Sequence, residues 1–233
     1  MRRLIVNAVT PGLLTLDEEQ SHHARNVLRL QNDACVEVFD ASGRSAAATV
    51  RELSPRVTVH VDSVSEQAQR PLIVASAVPK GDRADWLVEK LSELGVTTWQ
   101  PLRTARSVVH PDGPSKYERW NRIAVEAAKQ SKRVGTMRIE PLAAVSLFVA
   151  NAPSGQTVLL STGTGAIALS TAARMTAIDH LLIGPEGGWT PEEEAQFTAA
   201  GLTRATLGAT ILRIETAAIV AAAILCVSRA EVQ

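Results

Sequence analysis

Over residues 1–66 the apolar positions come in short runs, "LIVNAV", "CVEVFD", "AAATVREL" and "RVTVHVDSV", separated by Pro-Gly, Asn-Asp, Ser-Gly and Ser-Pro pairs. Runs of this length between such breaks predict strands. One helical stretch, "DEEQSHHARNVLRL", interrupts them, so the segment reads as a small β-rich domain. Polar, proline-ended "EQAQRP" at 66–71 predicts a linker.

From residue 71 the period changes. "PLIVASAV" predicts a strand, and "ADWLVEKLSELG" a helix that stops at Gly95. "VTTWQPL" predicts a second strand, followed by the long amphipathic helix "SKYERWNRIAVEAAKQSKR". Three strand-and-loop units come next: "TVLLSTGTG", "HLLIGPEGG" and "RATLGATILR". The alanine-rich helix "ETAAIVAAAILCVSRA" ends the pattern. Strands alternating with helices predict an α/β domain with a parallel sheet over 71–233.

Composition narrows the picture. Lys plus Arg and Asp plus Glu are 24 each, so no overall field points to a polyanionic partner. The segment from Pro101 to Glu140 nevertheless carries nine Lys and Arg against four Asp and Glu, a local basic patch. Cys35 and Cys226 stand far apart, and His22-His23 has no third ligand in reach, so neither a disulfide framework nor a metal site is expected. The longest apolar run, "AAIVAAAILCV", is about half of what a bilayer span needs. A cytoplasmic protein is the expectation.

The chemistry concentrates in the glycine loops. Ligands of an open parallel sheet bind beyond the carboxyl ends of its strands. Three loops there can share one pocket: Ser161 to Gly165, Gly184 to Gly188, and Leu207-Gly208. Ordinary tight turns are the competing account of each. "STGTGA" is neither a dinucleotide fingerprint nor a P-loop. Beyond the GPEGG loop, Thr190 suits an N-cap, Pro191 the first helical position, and Glu193 a capping box. With Glu192 and Glu194 alongside, carboxylates already neutralise the helix's positive end. A pyrophosphate would be repelled there, whereas a cationic ligand without phosphate would not. S-adenosylmethionine, with its sulfonium and amino-acid zwitterion, is such a ligand.

"LLIGPEGGWTPEEE" followed by "LGATILRIETA" resembles the paired cofactor motifs of the SPOUT superfamily, specifically the bacterial 16S ribosomal RNA uridine-N3-methyltransferases. "KGDRADWLVEKLSELGV", "PLRTARSVV" and "RWNRIAVEAAKQSKR" are similar to that family's middle region, and "HHARNVLRLQNDACVEVFD" to its PUA-like RNA-binding domain. The resemblance implies a PUA-like domain at 1–66 and a trefoil-knotted methyltransferase domain at 71–233. It also implies a homodimer, S-adenosylmethionine as cofactor, 16S ribosomal RNA of the small subunit as substrate, and no membrane. Carried over by position, the cofactor-binding residues are Leu160, Ser161, Thr162 and Gly163; Ile183, Gly184, Pro185, Glu186, Gly187 and Gly188; and Leu207, Gly208, Ile211, Leu212 and Arg213. Ala209, Thr210 and Ile214 depart from the family's usual residues in the last motif.

Methylating uridine N3 requires loss of its proton and stabilisation of charge spreading onto O2 and O4. Arg213 is the first candidate for the cation, and Glu215 or Glu186 for the proton acceptor. An Arg213–Glu215 ion pair that merely orients the last loop is the alternative. For RNA, Arg25 and Arg29 fall one turn apart on the first helix, and Arg106 lies in the basic segment. Glu126, Gln130 and Arg133 fall at i, i+4 and i+7, one face of the long helix. Ordinary surface charge competes with each of these assignments. Two rival functions remain at this point: a nucleotide-dependent α/β enzyme such as a dehydrogenase, and a noncatalytic RNA-binding protein that keeps the fold.

Overall fold

The computed structural model describes residues 1–66, 69–111 and 113–230. Of the expected linker at 66–71, residues 67 and 68 lie outside the described ones. The chain divides into two compact units, Met1–Gln69 with Ala128–Thr136, and Arg70–Ala127 with Met137–Gln233.

The first unit contains β1 (Arg2–Ile5), β2 (Gly12–Thr15), α1 (Glu18–His22), β3 (Cys35–Phe39), β4 (Arg44–Glu52), β5 (Thr58–Val61) and β6 (Ser65–Glu66). Its sheet runs β1-β3-β4-β5-β2, with β6 beside β4. Only the β1–β3 pair is parallel. Leu4, Val36, Val38, Val50 and Val59 fill its core. Asp17 caps α1 by accepting from the Gln20 amide at 2.7 Å, which starts the helix where the sequence places it. The helix is shorter than expected, however. It passes into a π-helical turn at His23–Val27, and Arg29 lies beyond with φ of 50°. Arg25 and Arg29 are therefore not neighbours on one helical face.

The second unit is α/β. It holds β7 (Ile73–Ala77), α2 (Arg83–Glu93), β8 (Thr98–Arg103), α3 (Pro114–Gln130), β9 (Arg138–Ile139), β10 (Ala143–Ala144) and α4 (Val145–Asn151). Then follow β11 (Thr157–Leu160), β12 (Ile167–Ala168), α5 (Leu169–Met175), β13 (His180–Ile183), α6 (Pro191–Ala199), β14 (Thr203–Thr206) and α7 (Ile214–Ala230). The residues of α3 from Ala128 onward are grouped with the first unit. The sheet order is β10-β8-β7-β13-β11-β14-β12, with β9 beside β8, and every pair is parallel. One face of the sheet packs on α2, α5 and α7 through Leu87, Leu91, Leu169, Ala218 and Ala222. Leu159, Leu182, Phe197 and Val149 form a separate cluster that takes in α4 and α6. The alanines of α7 allow close approach to α2, where the Cys226 thiol meets the Leu94 carbonyl at 2.9 Å. Because all strands run the same way, the loops after β7, β11, β13 and β14 leave one edge of the sheet.

Candidate functional site

The loops at that edge enclose a cavity of about 420 Å³. Its wall is built from three segments: Leu160 to Gly163, Ile183 to Gly188 without Gly187, and Leu207-Gly208 with Thr210 to Leu212. The three glycine loops singled out in the sequence thus converge on one space. Two of the proposed cofactor residues do not face it. Gly187 turns away, and a Cβ there would touch the Arg106 side chain at 3.4 Å. Arg213 is exposed and absent from the wall. Trp189, Glu194, Ala205, Thr206, Thr210, Ile214 and Ala217, none of them among the carried-over cofactor residues, complete the lining.

Each loop is held by its own residues. The Ser161 amide continues the ladder to the Ala205 carbonyl at 2.8 Å, and the Ser161 hydroxyl accepts from the Gly163 amide at 3.1 Å. Thr206 does the same for Gly208 at 3.2 Å. In the middle loop the Gly188 amide closes a turn onto the Pro185 carbonyl at 2.9 Å, with Gly188 at φ of 70°. That conformation favours glycine. Gly184 is small for another reason. A Cβ there would come within 2.7 Å of the Trp189 indole, itself wedged edge-on against buried Phe197 at 4.8 Å between centroids. The space beside Gly184 belongs to tryptophan rather than to a ligand.

The three glutamates have separate employment. Thr190 and Glu193 form the expected capping box on α6. Buried Glu193 also accepts from the Ala105 amide at 2.8 Å, so it ties the segment after β8 to this helix. Glu194 lines the cavity and pairs with Arg204. Glu192 is exposed, and its carboxyl lies below the usual range through the hydrogen bonds from its own amide and from Thr190.

The proposed catalytic carboxylates meet a cation that the sequence did not single out. Arg83, the first residue of α2, brings Nη1 to 3.4 Å from Glu215 Oε1 and 3.8 Å from Glu186 Oε1. Glu215 therefore pairs with Arg83 and not with Arg213, which corrects the alternative ion pair considered above. Arg213 makes no side-chain hydrogen bond or ion pair among the described residues. Glu186 is on the cavity wall, whereas Glu215 is buried behind it.

The RNA candidates are dispersed. Arg25 Nη1 donates to the Leu53 and Pro55 carbonyls at 2.9 and 2.7 Å, a brace for the loop before β5. Arg29 is exposed. Arg106 donates to the Gly187 carbonyl at 2.7 Å and so lies along the GPEGG loop. Glu126 and Gln130 are on α3, but that helix ends at Gln130 and Lys132 reverses the chain with φ of 57°. Arg133 therefore does not extend their face; its guanidinium approaches Gln69 Oε1 at 3.4 Å. Among the described residues no His, Cys, Asp and Glu group could hold a metal ion, and no helix is long and apolar enough to cross a membrane.

Comparison with known proteins adds an independent line. A family described as RNA methyltransferase domain matches residues 65–226, and one described as RNA methyltransferase PUA domain matches residues 16–60. The chain is 35% identical to the Ribosomal RNA small subunit methyltransferase E of Synechocystis sp. over 239 residues, covering 95% of this chain and 76% of that protein. It is 31% identical to the Bacillus subtilis protein of the same name, with 85% and 84% covered. Among solved structures, the Neisseria gonorrhoeae Ribosomal RNA small subunit methyltransferase E bound to S-adenosyl methionine superposes with a TM-score of 0.82 at 29% identity, over 96% of each chain. A Legionella pneumophila putative methyltransferase in complex with the same cofactor gives 0.80 at 28%, over 97% of each chain.

Proposed function

The chain belongs to the RNA methyltransferase family, and on that footing we propose that it transfers a methyl group from S-adenosylmethionine to N3 of a uridine in 16S ribosomal RNA. The charge of the cavity carries this reading. Glu186 and Glu194 are its only charged wall residues, and no lysine or arginine lines it among the described residues. A dinucleotide's pyrophosphate would meet carboxylates and no cation on the wall; the sulfonium of the zwitterionic donor is instead favoured by Glu186, Glu194 being already paired with Arg204. The volume also lies within the range of small-molecule sites.

When bound, S-adenosylmethionine supplies an electrophilic methyl group. The chain does the rest. Main-chain amides and carbonyls of the three loops hold the donor's polar edges, while Leu160, Ile183, Leu207 and Leu212 keep water from them. Positioning the base against the methyl group supplies several kcal/mol of the rate enhancement, roughly 7 or more where alignment is good. Glu186 or Glu215 takes the N3 proton. Arg213, exposed beside Leu212, stabilises charge on O2 and O4.

In this reading residues 71–233 form the methyltransferase domain, with the trefoil knot implied by the resemblance, and 1–66 the PUA-like RNA-binding domain. Arg25, Arg29, Arg106, Glu126, Gln130 and Arg133 are the RNA-binding residues of this reading, with the basic 101–140 segment supplying contact to phosphate. The protein is a cytoplasmic homodimer that acts on the small ribosomal subunit. Labelled S-adenosylmethionine, incubated with the protein and small-subunit particles from a strain lacking the modification, tests the proposal. Label recovered as N3-methyluridine after nuclease digestion is the expected result. RNA binding without label would favour the noncatalytic rival.

A further inference from the structure

Two carboxylates compete for the proton-accepting role, and their surroundings separate them. The acceptor has to touch the bound base and pass the proton on to water. Glu186 lines the cavity, and 44% of its side chain is exposed. Glu215 is off the wall, with only 4% of its side chain exposed. Its Oε1 faces Arg83, and its Oε2 is buried without a hydrogen-bond partner among the described residues. A buried carboxylate in that condition demands a cation.

Arg83 is that cation. Adjacent parallel strands β7 and β13 run in register from Ile73 against His180 to Ser76 against Ile183. The turn into α2 and the loop carrying Glu186 therefore leave the sheet side by side. Arg83 Nε donates to the Lys80 carbonyl at 3.3 Å, and Nη1 faces Glu215. These two contacts fix the guanidinium from behind, and the same Nη1 then stands 3.8 Å from the Glu186 carboxylate in front.

Resting on the uridine methyltransferase reading, we propose that Arg83 is a positioning residue that holds Glu186 in place as the proton acceptor, with Glu215 as its buried anchor. In the step itself the N3–H bond breaks and the proton passes to a Glu186 oxygen. The electron pair left on N3 forms the bond to the methyl carbon, and the carbon–sulfur pair stays with sulfur. The carboxylate and sulfonium charges disappear together. Exposed Glu186 then returns its proton to solvent.

The test uses the full chain and small-subunit particles lacking the modification. Arg83→Gln should lower kcat about tenfold or more while KM for the particle stays within about twofold. S-adenosylhomocysteine affinity by calorimetry, measured without substrate, should stay unchanged. Arg83→Lys should recover most of the rate, because it restores a charge at the same place. Glu186→Gln should cost at least as much, and the Arg83→Gln/Glu186→Gln double variant no more than Glu186→Gln alone. Should Arg83→Gln unfold through the stranded Glu215, Arg83→Gln with Glu215→Gln removes both charges and gives the same reading. Additive losses, no rescue by lysine in a folded protein, or an unaffected kcat would overturn the proposal alone. A wild-type protein that transfers no methyl group would overturn the function with it.

Discussion

Replacing Gly184 by alanine places one methyl group where the Trp189 ring already stands. The nearest approach, 2.7 Å to Cε2, is followed by 2.9 Å to Cζ2 and 3.0 Å to Nε1. Ordinary carbon contacts begin near 3.5 Å, so the indole has to retreat by about 0.8 Å. It cannot retreat onto Phe197, which is 1% exposed and already in edge-to-face contact. The open direction is the cavity, whose wall Trp189 forms. Overpacking of this kind costs about 1–3 kcal/mol of stability. If about 1.4 kcal/mol of that is felt by the donor, its affinity falls about tenfold. Urea denaturation and calorimetric titration with S-adenosylhomocysteine measure the two effects separately. Trp189→Leu should relieve the conflict, so the double variant should be more stable than the two single losses predict, by about 1 kcal/mol. Wild-type affinity and stability in Gly184→Ala, or the same loss in the Trp189→Leu background, would refute the steric argument.

Glu193→Ala removes a capping box and the buried acceptor of the Ala105 amide together, and should lower stability by about 2–4 kcal/mol in urea titrations. Arg213→Ala should leave melting temperature and S-adenosylhomocysteine affinity unchanged, because the side chain is exposed and off the cavity wall, while turnover drops about tenfold or more. Burial, opposed by the charge of Asp179, holds the His180 imidazole below its ordinary 6.5. The unfolded chain therefore binds a proton first, and stability falls as pH drops from 6.5 towards the lower folded value, then levels off. His180→Gln should flatten the melting temperature across that window, and an unchanged slope would exclude the histidine as its source.

The periodicities of 2 and 3.6 carried much of this fold. β7, α2, β8, β11, β13 and α7 lie where apolar runs and their stop signals place them. What escaped was short or bent. β9, β10 and β12 are two residues each, too short to set a period, and α4 and α5 are seven residues each. β2 begins at Gly12, within the Pro-Gly pair that reads as a break, and has a half-exposed pattern. The glycine loops were legible because parallel strands must release them at one edge. Arg83 was not, since it lies 132 positions from Glu215 and its pairing exists only once α2 and α7 have packed. The last cofactor motif instead offered Arg213, which stands just before α7 and is exposed. Trp189 was passed over for a similar reason, because its contact with Gly184 is made by a turn and not by a period.

The stretch after β8 is fastened twice to the GPEGG turn and the helix it opens. Ala105 is held from within by the buried Glu193 carboxylate, and Arg106 grips the Gly187 carbonyl from the solvent side. Dissolved ions reach the outer clasp and leave the inner one untouched. A phosphate drawing Arg106 away would thus unfasten the turn from one side while its anchorage endures. The backbone that lines one side of the cavity is in this way mechanically linked to a guanidinium at the surface.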